Sequence, residues 1–326
     1  MDAKSPDTHP YSRLTPDVVL DGVAAAGLRP DGRMLTLNSY ENRVYQVWLE
    51  DETVVVAKFY RPGRWSEAQI DEEHGFAAEL AGRDIPVVAP LHSLQHADFR
   101  IAIYPRRGGR TPELDDQRTL EWIGRFIGRI HAVGASHPFR TRETLSPKTF
   151  GHAARAFLLS SHFIPPDLLD AWQAVTQQAL DQVERSFERA GSVRHIRLHG
   201  DCHAGNILWT DAGPHFVDLD DARMGPALQD LWMLLSGDRA WMTRQLLDVL
   251  AGYEQFAELD RRELHLLEAL RTLRLIHYSA WIARRWDDPA FPAAFPWFNT
   301  QRYWQDRILE LREQIALMDE EPLRVD

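Results

Sequence analysis

The sequence predicts an α+β protein with two lobes, a small N-terminal lobe built on an antiparallel β-rich sheet and a larger, mainly α-helical C-terminal lobe. Three observations support this prediction. Segments rich in β-branched and aromatic residues follow one another closely before residue 105. Helical spacing of apolar residues dominates after residue 110. Pro105, Gly108 and Gly109 interrupt the chain between the two regions, so we expect lobes at residues 1–105 and 106–326.

The predicted N-terminal lobe starts with a helix and continues with strands. Thr15 can cap a helix whose first turn contains Pro16, and Gly27 ends that helix. The later elements are three strands, a helix and a last strand, at residues 33–38, 43–50, 53–60, 66–81 and 99–104. The polar turns between the first three strands favour antiparallel pairing.

The predicted C-terminal lobe contains amphipathic helices. Apolar side chains recur every three or four residues in two long segments, which end before Gly134 and at Gly191. A third segment, Leu228–Leu235, is apolar nearly all round and is therefore expected to be buried. Asp230 lies inside it, and a buried carboxylate must have partners.

The composition restricts the partners and the location that we expect. A formal net charge of -11 argues against nucleic acid and anionic membranes, because phosphate-rich surfaces require a basic protein. No apolar run is long enough to cross a membrane, and the N-terminus lacks the form of a signal peptide, so we expect a cytoplasmic protein. The single cysteine, Cys202, excludes an internal disulfide and is interpreted as chemically inert. We expect a monomer.

Ionisable residues are concentrated in residues 197–221, RLHGDCHAGNILWTDAGPHFVDLDD. The pattern predicts short strands with carboxylates at their ends. Phosphoryl transfer needs one carboxylate to orient the attacking hydroxyl and a set of oxygen ligands to hold Mg²⁺ on the phosphates. Asp201 can supply the first, and Asn206 and Asp218 can supply the second. Asp220 is a further candidate, either as a metal ligand or as a structural carboxylate.

A zinc site is the alternative for the same segment. His203 with His199 and Asp201 would form a His/Asp set of the kind that metallohydrolases use. Asn206 favours magnesium, because an amide is a good magnesium ligand and a poor zinc ligand.

The motif H-G-D-x-x-x-x-N, followed by a strand that ends in D-x-D, resembles the aminoglycoside phosphotransferase and choline kinase-like superfamily, relatives of the protein kinases. Five strings are similar to the stress response kinase A (YihE/RdoA) family within it: LNSYENRVYQV, AKFYRP, LHGDCHAGNILW, FVDLDDAR and GPALQDLWMLLSGD. The matching blocks cover nearly the whole chain. The resemblance implies a bilobal protein-kinase-like fold, with Asp201 and Asp218 as catalytic residues and Asn206 and Asp218 as metal ligands. It also implies that Asp230 accepts hydrogen bonds from the backbone of residues 199–201.

Lys58 ends the apolar strand VVVAK. Strand alternation places it on one face with Val54 and Val56, where an unpaired ammonium would be costly. A lysine that reaches out to solvent from the strand end is the alternative. Because a helix with carboxylates follows, we expect Lys58 to bridge the phosphates of ATP and an acidic partner.

Glu73 is the preferred partner of Lys58, since it shares a helical face with Phe76 and Leu80, and Glu72 is the second choice. In a kinase the first hairpin covers the nucleotide phosphates with a glycine-rich loop. Here the loop Asn38–Asn42 contains no glycine, and we expect the Ser39 hydroxyl to face the phosphates. The stress response kinase A family carries the same loop.

The resemblance implies an ATP- and Mg²⁺-dependent kinase that phosphorylates serine or threonine of proteins in a stress response, with ATP between the lobes. Relatives in the superfamily phosphorylate aminoglycosides, choline or homoserine, so a small-molecule alcohol kinase is the alternative. It is favoured by the eleven residues, 219–229, between Asp218 and Asp230, too few for a long peptide-docking loop. A catalytically silent nucleotide-binding regulator is a further alternative, suggested by the glycine-free loop.

Overall fold

Five strands near the N-terminus form one antiparallel sheet in a computed structural model that describes residues 9–325. The strands, in sheet order, are β1 (Pro30–Thr36), β2 (Arg43–Leu49), β3 (Val54–Phe59), β5 (Phe99–Pro105) and β4 (His92–His96). The sequence predicts all of these except β4, whose residues HSLQH lack an apolar alternation because the strand lies at the edge of the sheet. Together with the helices below, this sheet confirms the α+β fold class.

Two helices accompany this sheet, α1 (Pro16–Ala25) and α2 (Glu67–Ala81). Thr15 caps α1 as predicted, since its side chain accepts a hydrogen bond from the Val18 N–H. Ser66 and Gln69 form a reciprocal capping box at the start of α2. Helix α1 packs closely on the sheet at Gly22, where an added Cβ would lie 2.6 Å from the Ile101 side chain.

Strand β3 lies in the middle of the sheet, which fixes the position of Lys58. Lys58 is paired with Val44 of β2 on one side and with Ala102 of β5 on the other. Val55, Ala57 and Phe59 on the opposite face of β3 belong to the hydrophobic core. The predicted alternation along this strand is therefore confirmed.

The rest of the chain is mainly helical. Its helices are α3 (Gln117–Gly134), a π-helix (Pro147–His152), α4 (Ala153–Ser160), α5 (Leu169–Ala190), α6 (Leu228–Trp232), α7 (Arg239–Tyr253), α8 (Leu267–Ala283), α9 (Ala290–Ala294) and α10 (Gln301–Met318). Its short strands are β6 (Ile196–Leu198), β7 (Ile207–Thr210), β8 (Gly213–Phe216) and β9 (Arg223–Gly225). Helix α6 ends at Trp232 and is therefore shorter than the predicted segment, which runs to Leu235. Helices α3 and α7 approach so closely that an added Cβ at Gly252 would lie 1.8 Å from the Glu121 carbonyl oxygen.

The chain divides into two compact units. Among residues 9–325, the first unit comprises those up to Arg110 together with Leu208–Asp220, and the second comprises Thr111–Ile207 together with those from Asp221 onwards. The lobe limits 1–105 and 106–326 stay a prediction. Within residues 9–325, no helix is both long enough and apolar enough to cross a membrane.

Candidate active site

Lys58 lies at the centre of a buried charged cluster in the first unit. Its Nζ lies 3.0 Å from Asp218 Oδ1, 3.3 Å from Asp220 Oδ1 and 3.9 Å from Glu73 Oε1. Burial by itself would lower the pKa of Lys58, but the carboxylates of Asp218, Asp220 and Glu73 raise that pKa well above its usual value. The ammonium therefore stays charged, and the side chain is paired inside the protein rather than directed to solvent.

Glu73 is buried on the same face of α2 as Phe76 and Leu80, whereas Glu72 is half-buried. The predicted choice of Glu73 as the contact of Lys58 is confirmed. One Glu73 oxygen also accepts a hydrogen bond of 3.0 Å from the hydroxyl of Tyr60. Tyr60 is not among the residues predicted from the sequence, although strand alternation continued by two residues from Lys58 would have placed it on the same side.

Asp218 and Asp220 have different environments although they are two residues apart. Asp218 adopts a positive φ of 61°, which aspartate tolerates better than most residues, and 53% of its side chain is exposed. Asp220 is buried, and its Oδ2 accepts a hydrogen bond of 2.9 Å from Asn42 Nδ2. Asp220 is thus fixed inside the cluster, which favours the structural interpretation, and Asp218 is the carboxylate that solvent or a ligand can reach.

The cluster fits a divalent cation by its charge and its donor type. The carboxylates of Glu73, Asp218 and Asp220 surround a single ammonium, so negative charge is in excess. Magnesium prefers such oxygen ligands and keeps several waters, so one or two protein ligands suffice. In the first unit, Asp218 is the residue that is suited to this role.

The glycine-free loop is held to this cluster by Asn42. Besides its contact with Asp220, Asn42 accepts a hydrogen bond of 3.0 Å from the Arg61 N–H through Oδ1. Ser39 lies half-buried in the same loop, three residues earlier in the chain. Hydrogen bonds of the Asn42 side chain therefore fix the end of a loop in which kinases usually rely on glycine.

Asp201 lies in the second unit and is surrounded by groups that can carry positive charge. Arg274 Nη1 lies 2.7 Å from Asp201 Oδ1, and His203 Nε2 lies 3.4 Å from Oδ2. Burial would raise the pKa of Asp201, but the hydrogen bond from His203 and the charge of Arg274 lower it below its usual range. Asp201 is therefore ionised. The sequence gives no signal for Arg274, which is 73 positions away on α8.

Asn206 is brought next to Asp201 by a short 3₁₀ turn, Ala204–Asn206. Its Nδ2 donates a hydrogen bond of 3.0 Å to the Asp201 carbonyl oxygen. This bond uses the amide nitrogen, and the amide oxygen is the atom that can bind a cation. No three His, Cys, Asp or Glu side chains within residues 9–325 form a ready metal-binding cluster, so the zinc alternative gains no geometric support.

Asp230 anchors the backbone of the loop that carries Asp201. Its two oxygens accept hydrogen bonds of 2.8 Å from the N–H groups of His199 and Gly200, as the sequence analysis expects. His131 Nε2 also contacts Asp230 at 3.0 Å, and the other ring nitrogen of His131 lies 2.9 Å from the Tyr253 hydroxyl. Gly200 has a φ of +86°, and an added Cβ would lie 2.1 Å from the Asp221 carbonyl oxygen. Asp230 therefore fixes the loop through the loop's backbone N–H groups.

Two further observations concern residues next to Asp201 and after Asp220. Cys202 is fully buried, and burial together with Asp230 and Asp201 raises the pKa of its thiol well above the usual value. The thiol therefore stays protonated, in agreement with its interpretation as an inert residue. Asp221 and Arg223 form an ion pair.

Comparisons with known proteins show the family of the chain. A family model described as the phosphotransferase enzyme family matches residues 35–267. The chain is 44% identical over 320 residues to stress response kinase A of Salmonella choleraesuis (strain SC-B67), covering 97% of each protein. It is 43% identical over the same length to the serine/threonine protein kinase RdoA of Salmonella typhimurium, again covering 97% of each. A solved structure of the amicoumacin kinase hAmiN, with AMP-PNP, Ca²⁺ and its ligand Ami, superposes with a TM-score of 0.69 at 18% identity, over 92% of both chains.

Proposed function

Since the chain belongs to the phosphotransferase enzyme family and, within it, to the stress response kinase A family, we propose that it is a kinase that transfers the γ-phosphate of ATP to serine or threonine hydroxyls of proteins. The observation that carries this proposal is the Lys58 cluster. A charged, buried lysine beside a carboxylate that remains half exposed is an arrangement suited to nucleotide phosphates and their cation.

In the first unit, Lys58 binds the phosphates of ATP, and Glu73 holds Lys58 in place. Ser39 lies in the loop that is expected to cover the phosphates. Asp218 of the first unit is a proposed protein ligand of Mg²⁺, as is Asn206 of the second unit, and the bound ion would neutralise charge on the phosphate oxygens.

Asp201 has the central role in the second unit. Because its carboxylate is ionised, it can accept a hydrogen bond from the acceptor hydroxyl and orient the oxygen for in-line attack on the γ-phosphorus. The new bond joins the acceptor oxygen to the γ-phosphorus, the bond from this phosphorus to the bridging oxygen breaks, and ADP leaves. The hydroxyl proton passes to Asp201 or to solvent.

The test of kinase activity is transfer of radiolabel from γ-labelled ATP with Mg²⁺, measured for the wild type and for Asp201→Ala. We expect the variant to lose transfer by about a thousandfold while it melts at the wild-type temperature. Asp211→Ala, at an exposed turn residue ten positions away, is the matched control and should retain activity. Stabilisation of the wild type by ATP and Mg²⁺ without any transfer would instead identify a silent nucleotide-binding regulator.

A small-molecule alcohol acceptor is the second candidate, and a specific observation favours it. The short segment after Asp218 is filled by a 3₁₀ turn, by β9 and by the start of α6, so it holds no long peptide-docking loop. The solved structure reported above is named as a kinase of amicoumacin, not of a protein. Radiolabel in alcohols only, with none in phosphoserine or phosphothreonine after protein hydrolysis, would decide for this candidate.

The proposal includes a monomeric enzyme in the cytoplasm that acts in a stress response and needs no nucleic acid or membrane. Size-exclusion chromatography with light scattering tests the monomer. Cell fractionation tests the location, and recovery of this protein only in the membrane fraction would contradict the cytoplasmic location.

A further inference from the structure

The carboxylate of Asp201 has partners on both of its oxygens. Arg274 contacts Oδ1 at 2.7 Å, and His203 lies 3.4 Å from Oδ2. An acceptor hydroxyl that donates to Asp201 must therefore share one of these oxygens with a group that can be cationic. Arg274 makes the shorter contact, so an acceptor that uses Oδ1 comes directly against its guanidinium.

Arg274 differs from the arginines that support the fold of the second unit. Arg197 is buried, and its guanidinium donates to the Val133 carbonyl oxygen at 2.9 Å. Arg271, one turn before Arg274 on α8, pairs with Glu268 and donates to the Leu235 carbonyl oxygen. Arg274 instead has 39% of its side chain exposed and reaches Asp201 itself. An ion pair at this exposure adds little to stability, so fold support does not account for its position.

The chemistry of a guanidinium indicates what else Arg274 can bind. It presents five N–H donors in a planar fork, and the contact with Asp201 Oδ1 is made by Nη1. A carboxylate or phosphate on the acceptor could use the other edge of the fork in a bidentate contact. A cationic acceptor would be repelled by Arg274, and the charge of Asp201 that could attract it is already balanced.

We propose that Arg274 is a specificity-determining residue, which binds an anionic group that lies next to the reacting hydroxyl of the acceptor. This inference rests on the proposed kinase function. It predicts that serine flanked by acidic residues is phosphorylated in preference to serine flanked by basic residues. The same rule predicts that an anionic alcohol such as glycerate reacts in preference to neutral glycerol.

The test measures kcat/KM for two matched pairs, a serine peptide with flanking Glu against the same peptide with flanking Lys, and glycerate against glycerol. The wild type should prefer the acidic member of at least one pair by about 10- to 100-fold, the range expected for hydrogen bonds between charged groups. Arg274→Met should remove the preference, Arg274→Lys should restore part of it, and Arg274→Glu should reverse it for the peptides.

Arg302→Met is the matched control, because Arg302 is a surface arginine of the same unit with 89% of its side chain exposed. It should leave the preference unchanged. Melting temperatures show whether each variant is folded, and the lysine variant keeps the test valid should the others unfold. Three results would overturn the inference. The wild type could use both members of each pair equally, the preference could persist in Arg274→Met, or phosphate could be transferred to other acceptors and to neither acidic member. Absence of any transfer from ATP would instead refute the proposed kinase function.

Discussion

The charged clusters around Lys58 and around Asp201 have opposite compositions. In the first unit a buried ammonium, that of Lys58, is surrounded by the carboxylates of Glu73, Asp218 and Asp220. In the second unit a carboxylate, that of Asp201, is contacted by Arg274 and His203. The first cluster therefore has negative charge in excess and suits a metal cation. In the second cluster Arg274 and His203 balance the charge of the Asp201 carboxylate, so this cluster suits an anionic group.

The clusters also differ in how they are supported. Lys58 is fixed by a central strand, and its partners are themselves side chains of the cluster. Asp201 is placed by a loop whose backbone N–H groups are bound by the buried Asp230. Removal of a charge should therefore affect mainly stability and the proposed nucleotide binding in the first cluster, and mainly the position of Asp201, the proposed catalytic carboxylate, in the second.

The largest effect on stability is expected from Lys58→Met. It leaves the buried carboxylates of Asp220 and Glu73 without their cation, and loss of one partner from a buried ion pair costs about 3 to 5 kcal/mol. We expect a decrease of this order in the free energy of unfolding, measured by urea titration, together with loss of phosphate transfer. Lys148→Met, at an exposed lysine, should change neither.

A second substitution separates the loss of stability from the loss of phosphate transfer. Lys58→Met combined with Asp220→Asn removes one of the uncompensated charges, so it should recover part of the stability and none of the transfer activity. If the double variant is no more stable than Lys58→Met, the charges of this cluster do not stabilise the first unit.

The same comparison shows what the sequence could and could not predict. Alternation along β3 and helical spacing along α2 identify Lys58 and Glu73, because both patterns depend on residues that are neighbours in the sequence. The family resemblance identifies Asp201 and predicts the contacts of Asp230. Arg274 is missed, because its contact with Asp201 joins residues 73 positions apart and depends on how α8 packs.

The edge strand β4 and the anchoring role of Asn42 escape prediction for similar reasons. An edge strand is exposed and does not need an apolar alternation. Asn42 lies in a loop whose local sequence predicts only a turn, and its contact with Asp220 spans 178 positions. Local sequence patterns therefore predict most helices and strands and the residues that lie on them. Contacts between residues that are far apart in the sequence have to come from the structure.

A smaller effect on stability is expected from Asp230→Asn. The amide retains one acceptor oxygen, but its NH₂ group would face one of the two backbone N–H donors, of His199 or Gly200, which then stays unsatisfied. We expect a loss of about 2 to 3 kcal/mol in the free energy of unfolding and a lower kcat. Affinity for ATP should change little, since Asp230 supports the second cluster only.

The control for this variant is Asp115→Asn, at an exposed aspartate of the same unit, which should behave as wild type. Isothermal titration with ATP and Mg²⁺ measures the affinity, and steady-state kinetics measure kcat. Weaker ATP binding by Asp230→Asn with unchanged kcat would contradict the separate support of the two clusters.

The smallest effect concerns Glu263, which supports the helix that carries Asp230. Its Oε2 accepts a hydrogen bond of 2.8 Å from the Leu228 N–H at the start of α6, and burial raises its pKa to about 7 from the usual value of 4.5. The folded protein therefore keeps a proton on Glu263 that the unfolded chain releases between pH 4.5 and about 7. The unfolded state binds fewer protons there, so stability falls as the pH rises through this range and is constant above it.

Glu263→Gln removes this dependence, because the amide does not ionise. The shift of the pKa corresponds to at most about 3 kcal/mol, and we expect the variant to gain about 1 to 2 kcal/mol over the wild type at pH 8, since the amide NH₂ also needs an acceptor. At pH 4.5 the cost of ionising Glu263 is nearly absent, so the amide penalty should leave the variant about 1 to 2 kcal/mol less stable than the wild type. Urea titrations at both pH values give the comparison, with Glu313→Gln, at an exposed glutamate of α10, as the control. If the gain is the same at both pH values, ionisation of Glu263 does not oppose folding, and the support of α6 is independent of its charge.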